Sequence, residues 1–132
     1  EMRYLVVLGR ILYSAIFVSS APGHFKAGTI AYAAGNGVPL ASILVPLSGI
    51  IAFLGGLSII LGYRARYGAW LLVIFLIPVT AMMHNFWAVA DPGEAHIQYL
   101  MFLKNLSMLG TAFLIVHFGS GPLSLDNRFR QV

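Results

Sequence analysis

The sequence predicts an all-α integral membrane protein: one domain over residues 1–132, a bundle of four transmembrane helices, with both termini cytoplasmic. Three observations carry this reading. Lys, Arg, Asp and Glu together make up only 9% of the 132 residues, against about a quarter in a typical soluble domain. Hydrophobic residues make up 59% and mean hydropathy is +0.86, so a water-facing surface would be too apolar and a disordered chain would need the opposite balance. Finally, no charged residue occurs between Lys26 and Arg64, a stretch long enough for a full crossing of about 20 residues.

Four spans follow from the apolar stretches and the breakers between them. The first covers 4–21 and stops at Pro22-Gly23; the second covers 40–62; the third 68–87; and the fourth 98–118, closed by Gly119-Ser120-Gly121-Pro122. Phe25 to Ala34, in the first connector, is long enough for a short helix lying on the membrane surface. The second connector is a tight turn, Tyr63-Arg64-Ala65-Arg66-Tyr67, with cations and aromatics at headgroup level. Arg3, Arg64, Arg66, Arg128 and Arg130 flank one side, whereas Lys26 is alone among Lys and Arg on the other beside Asp91 and Glu94. By the positive-inside rule the arginine side is cytoplasmic. Ser19-Ser20-Ala21 resembles a signal cleavage site, but Arg10 interrupts the apolar region before it, so the first span is expected to stay.

Within the second span Ser48, Ala52 and Gly56 recur every four residues, and Gly49 and Gly55 widen the same surface. Where lipid supplies no hydrophobic drive, small residues let a neighbouring backbone approach closely, so this is read as a packing stripe. The alternative is that Gly55-Gly56 leaves room for a ligand. Pro46 and Pro78 interrupt the hydrogen bonding of their helices.

Two cations lie inside predicted spans. Arg10 is about two turns from the start of the first and Lys104 about two turns from the start of the fourth, and neither span holds an acid. A central charge costs about 2.5 to 3.5 kcal/mol on insertion scales. Each either snorkels to the interface or faces the bundle interior and holds an anion or carbonyl. Arg10, Ser14, Phe17, Ala21 and His24 follow a 4-3-4-3 spacing, as do Met101, Lys104, Met108 and Thr111, and Thr80 stands one turn before His84. The topology therefore predicts a basic, amide-rich cluster of His24, Lys26, His84, Asn85, Lys104 and Asn105, with Arg10 deeper toward the cytoplasm. Asp91 or Glu94 folding back onto Lys104 is the purely structural alternative.

No acid lies in a span to act as a buried base, and His84 has no identifiable orienting partner, so catalysis by the chain alone is not expected. With no cysteine and four scattered histidines, no metal site is expected. Haem between His24 and His84, and copper at Met82-Met83-His84, are weaker readings than interfacial hydrogen bonding and packing.

The order of several stretches resembles the DoxX family of small bacterial four-helix membrane proteins, over about residues 3 to 120. These are Leu8-Gly9-Arg10 followed by Gly23 and Lys26; Leu54-Gly55-Gly56-Leu57 with Leu61-Gly62; His84-Asn85-Phe86-Trp87; and Phe102-Leu103-Lys104-Asn105-Leu106 with Gly110. Many members carry a glutamate shortly before the paired glycines, where this chain has Gly49-Ile50-Ile51-Ala52-Phe53-Leu54, so an internal ion pair does not carry over. The resemblance implies the bacterial inner membrane and, more loosely, redox assemblies: a related branch forms the membrane subunit of a thiosulfate to quinone oxidoreductase.

The preferred expectation is an accessory or anchoring subunit of a larger membrane redox complex. Arg10 and Lys104 would meet a partner's carboxylate, a lipid or a quinone. The partners are membrane lipids and other membrane subunits, not nucleic acid, and a quinone or bound lipid is the cofactor to look for. The alternatives are a small carrier or lipid-handling protein binding an anionic solute, and a quinone-reactive oxidoreductase subunit.

Overall fold

A computed structural model describes residues 1–130. Among these the chain forms six helices and no strand: α1 (Met2–Ser20), α2 (Ala27–Gly35), α3 (Ala41–Leu61), α4 (Ala65–Met83), α5 (Pro92–Phe118) and α6 (Leu125–Arg130). Short 3-10 turns at Ala21–Phe25 and Phe86–Ala88 complete the ends of the first and third crossings. α1, α3, α4 and α5 are long and apolar enough to cross a membrane.

The predicted 40–62 span agrees with α3 to one residue at each end, because its punctuation is local. Gly62 takes a left-handed conformation (φ 65°) and its N–H bonds the Ile59 carbonyl, while Tyr63 N–H reaches back to Ser58. That is the glycine stop expected of a helix C-terminus. α2 matches the expected surface helix to within two residues.

The third and fourth spans differ from expectation. α4 begins at Ala65 and ends at Met83, so His84 and Asn85 lie outside the helix. Phe86 and Trp87 instead stack edge-on against Tyr99 and Phe102 of α5, with centroids 5.1 to 5.9 Å apart, and this cluster overrides local helix propensity. α5 starts six residues early because Asp91-Pro92, read as part of a loop, is a helix start: the Asp91 carboxylate accepts the Glu94 N–H at 2.9 Å, with Pro92 in the first turn.

The crossings pack in the order α1, α3, α4, α5 around one core of Phe17, Ala52, Ile59, Ala69, Leu72, Leu76 and Ala112. Tyr13 links the two ends of that series by donating to the Met108 carbonyl at 2.7 Å, from α1 to α5. The predicted row on α1 is real: Arg10, Ser14, Phe17 and Ala21 are all buried.

The small residues of α3 face both ways. A Cβ at Gly49 would stand 2.6 Å from His24 Cβ, one at Gly56 3.0 Å from Val18, and one at Gly55 2.8 Å from Leu72 and 2.9 Å from the Gly68 carbonyl. Ala52 is fully buried; Ser48 is half-buried and bonds its own helix at Val45. Gly55 and Gly56 are thus filled by α4 and α1, which leaves no space there for a ligand.

Candidate functional site

The two ends of the bundle are built differently. At the end where α1 starts and α5 stops, Gly119, Gly121 and Leu123 all take positive φ (77°, 72° and 53°). This curls the backbone into a tight cup over α1. Arg10 Nη1 donates to the carbonyls of Ser120 (2.7 Å) and Pro122 (3.2 Å), and Nη2 to that of Leu123 (2.8 Å). Charged donors to carbonyls make the stronger class of hydrogen bond, and the planar fork reaches several at once. Arg10 is 7% exposed and only its Nε lacks a partner.

Asp126 of α6 locks the same end. Its two carboxylate oxygens accept the backbone N–H groups of Arg64 (2.6 Å) and Ala65 (3.0 Å), which open α4. Ser120 Oγ lies 3.2 Å from Oδ2, and the Asp126 N–H donates to the Gly62 carbonyl at 2.7 Å. A carboxylate from 61 residues away therefore caps the helix that its own N-cap, Arg64 at φ 49°, cannot cap with a side chain. Burial pushes the Asp126 carboxyl up, but the two backbone donors, the Ser120 hydroxyl and the charge of Arg130 together hold it below the usual carboxylate value.

The opposite end is open. Between α2, α3 and α4 lies a cavity of about 480 Å³, walled by residues such as Val45, Ile51, Ile74, Phe75, Pro78 and Met82, with Thr29, Ser48, His24 and His84 as its polar members. Pro78, in the wall, has no N–H to give the Ile74 carbonyl. His24 Nδ1 is 3.1 Å from the Ser20 carbonyl and its ring lies edge-on to Phe75. His84 Nδ1 is 2.7 Å from Gln98 Oε1. Both contacts call for a proton on Nδ1, which in the neutral ring leaves Nε2 as an acceptor. Gln98 is the orienting partner that the sequence did not reveal.

Of the cluster expected from sequence, only His24 and His84 line one cavity. Lys26 is exposed on the connector before α2. Asn85 turns to a separate cavity with Tyr32, Asn36, Glu94 and Gln98. Asn105 is buried (4%), on the same side of α5 as Ala112. That rotates Lys104 out of the core: its side chain is exposed, with Nζ 3.5 Å from Met101 Sδ. Among the described residues neither Asp91 nor Glu94 pairs with it, Asp91 being engaged at the start of α5. In the longer α5, Lys104 is the thirteenth of 27 residues, about 18 Å from one end of the helix and about 21 Å from the other.

Arg10, expected to await a partner, lipid or quinone, is answered by its own chain. The residues that sequence reasoning passed over are Ser120, Ser124 and Asp126. One signal was present: Ser124 stands three residues before Asn127, whose N–H it caps at 3.1 Å, marking a helix start.

The family model for DoxX matches residues 5–85. Inner membrane protein YphA of Escherichia coli (strain K12) is 26% identical over 101 residues, which cover 76% of this chain and 71% of that protein. No solved structure matches significantly.

Proposed function

Starting from the chain's membership of the DoxX family, and as a multi-pass protein of the inner membrane, we propose that it is an accessory subunit of a larger membrane assembly, redox in character, which it joins through α5. Lys104 carries this reading. It stands mid-way along α5, on the flank that also bears Met108 and Thr111, in a helix whose neighbours Leu100, Leu103, Leu106 and Leu114 are 42 to 58% exposed. With α5 centred in the bilayer, a lysine stem of about 6 Å does not bring its ammonium to either interface. A lone ammonium in hydrocarbon is costly unless paired, and an aspartate or glutamate on a partner's transmembrane helix satisfies it.

A second reading rests on the cavity between His24 and His84. Its volume suits a ligand of drug size, and an apolar wall with two imidazoles suits a lipophile with a hydroxyl or carbonyl head, such as a quinol or quinone. An anionic solute is less well served, since neither Lys26 nor Lys104 reaches this cavity.

Purification in mild detergent, followed by mass spectrometry of proteins and extracted lipids and by an absorption spectrum, tests both. The first reading expects a membrane protein in fixed ratio, lost at least tenfold with Lys104→Gln and kept with Lys104→Arg. A chain that isolates alone, or a partner indifferent to Lys104→Gln, overturns it. A quinone retained by the isolated chain and lost with His84→Leu favours the second.

A further inference from the structure

The arginine end carries a second cavity, of about 510 Å³, where α4 begins and α6 lies across it. Arg64, Arg66 and Arg130 line it, with Tyr63, Tyr67 and Phe129 around them and Gly119 and Asp126 completing the wall. We propose that this cavity is a binding site for the phosphate of an anionic phospholipid.

Charge, shape and position each support it. Three guanidinium groups meet one carboxylate, and that carboxylate already accepts the Arg64 and Ala65 N–H groups, which leaves the wall cationic. Among the described residues the one ion pair joins Arg3 to Glu1, away from this cavity. The Arg66 guanidinium lies along Gly119, with Nε 3.2 Å and Nη2 3.6 Å from where a Cβ would stand. At φ 77° that position favours glycine, so the backbone leaves room for the arginine. Planar guanidinium forks match phosphate geometry.

The rim is aromatic and open. Tyr67 is 72% exposed and Phe129 62%, with Phe129 edge-on to Tyr63. Tyrosines at the ends of crossings lie at headgroup level. Cations side by side with aromatic rings in one wall suit a molecule with a phosphate and acyl chains better than a free ion. The positive-inside rule puts this end at the cytoplasmic leaflet, where anionic lipids concentrate.

The test uses the full chain in mild detergent, titrated with phosphatidylglycerol or phosphatidylcholine and followed by native mass spectrometry. One phosphatidylglycerol is expected to bind with a clear preference over phosphatidylcholine. Affinity should fall about fivefold for each arginine neutralised, so that Arg64→Gln/Arg66→Gln/Arg130→Gln nearly abolishes it. Lys26→Gln, which removes an exposed charge elsewhere, should leave binding unchanged, and excess inorganic phosphate should not displace the lipid. Should the triple variant melt early, Arg130→Gln alone on the exposed α6 is expected to show a fivefold loss. Undiminished binding by the folded triple variant, a loss from Lys26→Gln equal to that from Arg130→Gln, or displacement by inorganic phosphate overturns the proposal.

Discussion

Arg10 and Lys104 are the two cations inside the crossings, and the bundle treats them in opposite ways. Arg10 faces inward, where the Ser120–Leu123 backbone presents three carbonyls to its guanidinium. Lys104 faces outward among leucines, with a methionine sulfur as its polar contact. The difference lies in rotation and in what the chain brings to each helix. The row through Arg10 is the buried row of α1, whereas the buried row of α5 passes through Asn105 and Ala112, one residue further on. A cation whose partners lie within the chain serves folding. Under the proposed docking role of α5, one with none among the described residues awaits a partner.

The comparison breaks most sharply at Arg10. Arg10→Leu removes the donors and leaves three carbonyls buried against an apolar side chain, the costly direction for a hydrogen-bond deletion. We expect a loss of about 3 kcal/mol or more, read as early thermal unfolding in detergent. Arg10→Lys should recover only part of it, since one ammonium cannot reach both sides of the cup as the guanidinium does. Unchanged unfolding of Arg10→Leu would mean that the C-terminal loop is held without Arg10.

Asp126 is the next largest expected effect, because it secures the same loop from the other side. In Asp126→Asn a single carbonyl oxygen faces two backbone donors, and the amide NH2 meets an N–H, so a loss of about 1 kcal/mol is expected. The pH dependence has a definite sign. A carboxyl held below its usual value in the folded state adds stability above the unfolded carboxylate value, and this is lost as pH falls through the lowered folded value. The gap between wild type and Asp126→Asn should therefore be widest near neutrality and shrink in acid. Unfolding midpoints of both chains at several pH values check it; a gap that widens in acid would contradict the cap.

What was legible in the sequence follows the range of the interaction that decides each feature. α3 reads almost to the residue because an uncharged run and Gly62 fix it locally. The inward row of α1 reads from its 4-3-4-3 spacing. The start of α5 was written in Asp91-Pro92, but the same residue types also mark loops. The latch was not legible: Asp126 acts on Arg64 and Ala65, and Arg10 on carbonyls more than a hundred residues away, with no periodic pattern to tie them together. Nor was the rotation of α5, since the spacing of Met101, Lys104, Met108 and Thr111 is as regular as that of its buried side. Contacts with other helices fix which side turns inward: Ala112, Leu109 and Val116 on the core, Phe113 on Trp70, and the Tyr13 hydroxyl on the Met108 carbonyl.

The smallest expected effect on unfolding is that of Lys104→Leu. Lys104→Leu in the isolated chain removes no hydrogen bond to the core and leaves no carbonyl stranded, so unfolding in detergent should move by less than about 0.5 kcal/mol. Insertion of α5 into a membrane should become easier by an amount near the cost of a central lysine, about 2.5 to 3.5 kcal/mol, measurable as a shift in the inserted fraction of a reporter span. A residue whose removal helps its helix enter lipid and leaves the fold unchanged has no role inside the isolated bundle that would retain it. If Lys104→Leu instead destabilises the isolated chain as Arg10→Leu is expected to, the ammonium has an internal partner, and the contrast between the two cations, together with the docking role of α5, fails.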